Sequence, residues 1–179
     1  MISRVDTGLI LIDMQGKLAR VVDGSERLIA NSSNLVRAAS ILGLPLIWLE
    51  QTPEKLGITV PEIAGLLTEK KPLTKSTFNA CDTAHIKEAI LKENVSTWLI
   101  CGIEAHICVY QTALGVKELG KNVEVIGDAV GSRTVENKER ALQKLIQNGI
   151  GITTVEMCLY ELIKDAQSEH FKSILSLIK

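Results

Sequence analysis

The fold is decided by the stretch Val95-Ser96-Thr97-Trp98-Leu99-Ile100-Cys101-Gly102-Ile103-Glu104-Ala105-His106-Ile107-Cys108-Val109-Tyr110. Its apolar opening, Val95–Cys101, reads as a parallel strand buried on both faces, and the residues from about Ala105 to Leu119 read as the helix that follows. Cys108 then falls in the first turn of a helix at the carboxyl end of a strand. The exposed N–H groups and positive dipole end at such a point favour thiolate over thiol, and the thiolate is the nucleophile. Against this stands the ordinary use of a free cysteine as a small buried hydrophobe.

Two residues elsewhere tip the balance. Asp13 ends the aliphatic run Thr7-Gly8-Leu9-Ile10-Leu11-Ile12. That is the pattern of a central strand delivering a carboxylate to its carboxyl edge, where open parallel sheets bind ligands. Lys75, within Lys70-Lys71-Pro72-Leu73-Thr74-Lys75-Ser76-Thr77-Phe78-Asn79, ends a short extended piece before a polar turn and can point inward. A carboxylate, an ammonium and a thiol at three strand ends suit acyl or carbonyl chemistry.

Working outward, strand-like and helix-like patterns alternate. A helix is expected over about Ser25–Leu42, stopped by Gly43, followed by the strand Leu46–Leu49. Residues Glu50–Lys71 hold Pro53, Gly57, Pro61 and Gly65 and read as loop with one short helical turn at most. A helix near Thr83–Lys92 precedes the Val95 strand. Asn122–Ile126 reads as a strand, Glu136–Asn148 as a helix closed by Gly149, and Ile150–Thr154 as a short strand. Helical stretches near Glu156–Lys164 and Ser168–Ile178 finish the chain. The alternation predicts an α/β fold, a parallel sheet between two helical layers with right-handed crossovers, as a single domain over residues 1–179.

With 20 basic and 21 acidic side chains, a net charge of −1 and 3% aromatic residues, the chain shows no basic stripe and no stacking platform. Nucleic acid and anionic membrane are therefore poor partners. The hydrophobic fraction of 46% suits a doubly buried sheet and a subunit interface, so a homo-oligomer, dimer or higher, is expected. Cys81, Cys101, Cys108 and Cys158 form no CxxC pair, and Cys101 and Cys158 sit in core-like contexts. No signal-like or membrane-spanning run is read, so a cytoplasmic protein with reduced thiols is expected. No G-x-G-x-x-G, G-x-x-x-x-G-K-[ST] or G-x-S-x-G occurs, which disfavours a dinucleotide or nucleotide cofactor.

The chain resembles the isochorismatase-like hydrolases, a cysteine-hydrolase group that includes nicotinamidases and N-carbamoylsarcosine amidases. The matching stretches, in the family's order, are Leu11–Gln15, Lys75–Phe78, Gly102–Val109, Gly127–Arg133 and Thr153–Glu156, together spanning about Thr7 to Ile163. The resemblance implies a three-layer α/β/α fold with six parallel strands in the order 3-2-1-4-5-6. It also implies a catalytic set of Asp13 as general base, Lys75 as electrostatic stabiliser and Cys108 as nucleophile. A cis peptide bond between Ile103 and Glu104 is implied as well, with an oxyanion hole from the backbone N–H groups of Glu104 and Cys108. Leu18, Gln51, Phe78 and His106 are the pocket candidates, and the side-chain role of Glu104 is open.

Nicotinamidases carry an Asp-x-His pair and a further His after the second strand, whereas this chain reads Glu50-Gln51-Thr52-Pro53-Glu54-Lys55-Leu56-Gly57 there. No metal and no cofactor are therefore expected, with His85 and His170 in surface or capping roles. The expected activity is metal-independent hydrolysis of a small amide, imide or carbamoyl compound through a Cys108 acyl-enzyme. Vinyl-ether hydrolysis of the isochorismate type, and a non-enzymatic scaffold or thiol sensor on the same fold, are the alternatives.

Overall fold

The computed structural model describes all residues, Met1–Lys179. Six strands form one sheet: β1 Thr7–Ile12, β2 Leu46–Gln51, β3 Leu73–Lys75, β4 Thr97–Ile103, β5 Asn122–Gly131 and β6 Gly151–Thr153, every neighbouring pair parallel, in the order β3-β2-β1-β4-β5-β6. Nine helices cover its faces: α1 Leu18–Val21, α2 Ser25–Leu42, α3 Pro53–Leu56, α4 Pro61–Ala64, α5 Ala84–Lys92, α6 Tyr110–Glu118, α7 Val135–Gln147, α8 Val155–Ile163 and α9 Phe171–Ile178. The expected fold class and strand order are those observed.

Alternation along β1 divides the core into two layers. Leu9 and Leu11 join the cluster built with α2, α8 and α9, while Ile10 and Ile12 join the one built with α5, α6 and α7. Successive side chains of a strand point to opposite faces, so a strand apolar at every position must be covered twice. All six β1 residues are buried. Each large aliphatic side chain so placed contributes roughly 1.5–3 kcal/mol. Helix α2 ends where expected, on Gly43 in the left-handed region (φ 67°), whose N–H returns to Ala39 and Ser40 carbonyls.

Three differences from the sequence reading bear on the strand ends. Between Glu50 and Lys71 the chain makes two short helices, α3 and α4, each with proline at its start. Strand β5 runs five residues beyond Ile126, because the ladder to β4 continues after a register shift between Ile100 and Gly102. The Asp128 carboxylate within that extension accepts the Val155 N–H at 2.9 Å, at the start of α8. Finally, the cysteine-bearing helix does not open as regular α-helix: Ala105–Val109 form a π-helical turn that leads into α6. No helix is long and apolar enough to cross a membrane.

Candidate active site

Strand order places β1 between β2 and β4, and the carboxyl ends of these strands meet where the winding reverses. Asp13 follows β1 directly, with φ at 52°, and its N–H donates to the Leu49 carbonyl at 3.2 Å. Lys75 is the last residue of β3, paired in register with Gln51 at the end of β2. Beyond β4 comes the Ile103–Glu104 peptide, which is cis, and then the π turn that carries Cys108. Gly102 makes the close approach of β1 and β4 possible. It has φ 120°, and a Cβ there would sit 2.0 Å from the Ile12 carbonyl oxygen. Only glycine fits such a position.

The three side chains converge. The Lys75 ammonium donates to Asp13 Oδ2 at 2.8 Å, with side-chain exposures of 0% and 3%. The Cys108 thiol lies close enough to both that its ionisation responds to the Asp13 charge and to the Lys75 charge. The second carboxylate oxygen, Asp13 Oδ1, is enclosed and lacks any hydrogen bond of good geometry. A buried acceptor without a partner is costly, so it marks a place where a proton or a donor is to be received.

Burial sets the protonation of this cluster. Desolvation raises the Asp13 pKa, with the Lys75 charge and hydrogen bond pulling the other way and the Glu50 charge adding to the rise. The Cys108 thiol is pushed up to about 12, first by burial and next by the Asp13 charge, with Lys75 opposing. Burial and the Asp13 charge thus oppose the thiolate that the helix position favours. A thiol raised in this way, beside a carboxylate whose proton affinity is also raised, is suited to form its nucleophile by passing a proton to that carboxylate.

The remaining sequence candidates disperse. Gln51 joins the cluster: its Oε1 accepts from Lys75 Nζ at 2.5 Å and its Nε2 donates to the Ser76 carbonyl at 2.8 Å. His106, half-buried, pairs through Nδ1 with Ser132 Oγ at 2.9 Å. Leu18 opens α1 and packs against the α2-side core, and Phe78 lies 54% exposed on the turn after β3. Glu104 is an anchor between strand ends: its Oε1 accepts from Arg133 Nε at 2.9 Å and from the Arg133 backbone N–H at 3.3 Å. Of the other histidines, His85 stands on α5 and His170 bonds the Arg4 guanidinium. No group of three or more histidine, cysteine, aspartate or glutamate side chains is arranged to hold a metal ion.

Sequence reasoning overlooked two buried residues. Gln15 is fully buried, and its amide grips the Gln51 backbone on both sides: Oε1 accepts the Gln51 N–H at 2.6 Å, and Nε2 donates to the Gln51 carbonyl at 3.0 Å. Glu50 is buried with Oε1 accepting both the N–H and the hydroxyl of Thr59 at 2.7 Å, and Trp48 Nε1 donates to the same hydroxyl at 2.8 Å. Their one signal in sequence is a polar residue at or just past a strand end.

Comparison with known proteins identifies the fold and the family. A model of the isochorismatase domain matches residues 7–157. The isochorismatase domain-containing protein 2 of Danio rerio is 35% identical over 172 residues, covering 95% of this chain and 85% of the relative. Among solved structures, MAR1 ribonuclease from Caenorhabditis elegans superposes with a TM-score of 0.92 at 34% identity, over 99% of this chain and 91% of that one. The YcaC protein of Escherichia coli, described as an octameric hydrolase of unknown specificity, also reaches 0.92, at 23% identity over 99% and 88%, which speaks to the fold alone.

Proposed function

The chain belongs to the isochorismatase family, a family of hydrolases, and from that premise we propose that it is a metal-independent cysteine hydrolase of small amide, imide or carbamoyl compounds. The observation that carries the proposal is the enclosed Asp13–Lys75–Cys108 cluster with its unpartnered Asp13 Oδ1.

In this reading Asp13 Oδ1 takes the thiol proton as Cys108 Sγ attacks the carbonyl carbon. Lys75 stabilises the charge that moves from carboxylate to sulfur and then to the carbonyl oxygen. The backbone N–H groups of Glu104 and Cys108, at the end of β4 and in the π turn, receive that oxygen; such donors are worth roughly 2.7–4 kcal/mol each. Asp13 returns its proton to the departing nitrogen, and ammonia or an amine leaves. A water then gives its proton to Asp13 and attacks the thioester, which releases the acid and restores the thiol.

Vinyl-ether hydrolysis needs no sulfur nucleophile, and a scaffold needs no buried ion pair beside a cysteine at its strand ends, so the acyl mechanism accounts for more of the site. The name of the Caenorhabditis elegans relative makes RNA a rival substrate. Against it stand the net charge of −1 and the 3% aromatic content. A homo-oligomer is part of the proposal, supported by exposed Met157 and Tyr160 on α8, and by Met1 and Val5. So is a reducing, cytoplasmic setting, supported by four unpaired thiols.

The test is ammonia release from a panel of small amides, ureas and carbamoyl compounds, before and after chelation, with single-stranded RNA alongside. Turnover of an amide that is lost in Cys108→Ala and survives chelation supports the proposal. Cleavage of RNA alone, or activity that disappears with a metal, overturns it.

A further inference from the structure

We propose that Gln51 is a positioning residue for Lys75, a neutral second acceptor that fixes the ammonium and leaves its charge uncancelled toward Cys108; the inference rests on the reading of Lys75 as the electrostatic stabiliser. An ammonium has three N–H donors and no acceptor. One goes to Asp13 Oδ2 at 2.8 Å and one to Gln51 Oε1 at 2.5 Å. With these two directions taken, the third falls to the remaining neighbour, the Cys108 sulfur, or to an oxygen of the substrate bound there.

The amide has one workable orientation. Its Nε2 donates to the Ser76 carbonyl at 2.8 Å. Turned over, it would set NH2 against the ammonium and oxygen against a carbonyl, two repulsive contacts. The peptide groups that flank the side chain are also held. Gln15 clasps the Gln51 N–H and C=O at 2.6 and 3.0 Å, and its Nε2 reaches the Gly57 carbonyl at 2.6 Å. A two-glutamine relay thus links the segment after β1, the end of β2, the end of β3 and the turn at Gly57. Gln15, Gln51 and Lys75 are all buried, so water does not compete for these bonds.

Neutrality is the functional point. Asp13 already gives Lys75 one negative partner. A carboxylate at position 51 would accept the same bond yet cancel the field that a thiolate or oxyanion depends on. Two measurements separate position from charge, and neither needs a substrate, so they can fail independently of the proposed reaction.

The first follows hydrogen exchange of the Lys75 ammonium by 15N NMR of lysine-labelled protein. The intact chain should show one slowly exchanging ammonium, at least tenfold faster in Gln51→Met and still protected in Gln51→Glu. Equal protection in Gln51→Met would show that Gln51 does not hold Lys75. The second measures the pH midpoint of Cys108 alkylation by iodoacetamide in an Asp13→Asn background, where the thiol titrates within reach. Adding Gln51→Glu should raise the midpoint by at least one pH unit, about a tenfold loss of rate below it, with the plateau rate unchanged. An unmoved midpoint with a changed plateau would indicate altered access alone and overturn the proposal. Thermal melts of each variant identify any that fail to fold; Gln15→Met, which keeps residue 51 intact but removes its clasp, then serves as the second variant and should also speed ammonium exchange.

Discussion

Replacing Asp13 by asparagine should move thiol reactivity and turnover in opposite directions. Cys108 is pushed up to about 12 by burial and then by the Asp13 charge, while Lys75 pulls it down. Asparagine keeps the shape, removes the repelling charge and leaves the ammonium facing the thiol. Two unit charges ~4 Å apart at an effective dielectric constant of ~20 interact by ~4 kcal/mol, or about three pH units. The thiol should then titrate near pH 9 and hold roughly a tenth of its sulfur as thiolate at pH 8. The thiolate fraction at pH 8 rises about 1,000-fold, and the lower nucleophilicity of the less basic sulfur takes back roughly 20- to 30-fold. Alkylation by iodoacetamide at that pH, followed by peptide mass spectrometry, should therefore quicken on the order of 30- to 50-fold. Hydrolysis should meanwhile fall by roughly 100- to 10,000-fold, because no group can take the thiol proton or activate water. Unchanged or slower alkylation in Asp13→Asn would refute the claim that Asp13 holds the sulfur protonated at rest.

Three further outcomes follow from the same geometry. Lys75→Met alone should destabilise the fold by about 3–5 kcal/mol in urea titrations by stranding a buried carboxylate, whereas Lys75→Met with Asp13→Asn should recover most of that loss; equal losses would mean that the pair carries no desolvation cost. Gly102→Ala should cost about 2–4 kcal/mol and slow hydrolysis, since its Cβ would meet the Ile12 carbonyl oxygen at 2.0 Å between the Asp13 and Cys108 strands; a wild-type melting curve would contradict the contact. Stability should also fall at alkaline pH. Folding raises the pKa of Cys101, and takes Cys108 and Cys158 to about 12. A raised folded pKa gives stability that is whole below the unfolded value and is lost as pH rises through the window toward the folded one, here upward from about 9, by ~1 kcal/mol per thiol per pH unit. Denaturation midpoints between pH 8 and 11 test this, and Cys101→Ala with Cys158→Ala should flatten the slope.

What could be read from the sequence was whatever local pattern dictates. The doubly buried runs at Leu9–Ile12 and Trp98–Ile100 announce central parallel strands, and helix α2 begins and ends on its expected residues. Asp13, Lys75 and Cys108 stand at strand ends because each closes or follows an extended segment. The protonation of the thiol was not legible, since it depends on burial and on a carboxylate 95 residues away in the chain. The Gln15–Gln51 relay was hidden for a related reason: its hydrogen bonds join three loops that only strand order brings together. The π turn at Ala105–Val109 was missed because its residues fit an α-helical pattern equally well. The run past Ile126 was cut short because Gly127 and Asp128 look like a strand's end, although the sheet continues beyond them.

The most direct test of the account is to trap the acyl-enzyme. A substrate found by ammonia release is mixed with the enzyme, quenched in acid within one turnover, and digested for mass spectrometry. The account predicts a transient mass increase equal to the substrate's acyl group on the peptide carrying Cys108. It should be absent in Cys108→Ala, which releases no ammonia, and should rise and decay with wild-type kinetics in Cys81→Ala. Turnover of the same substrate by Cys108→Ala at the wild-type rate would contradict it.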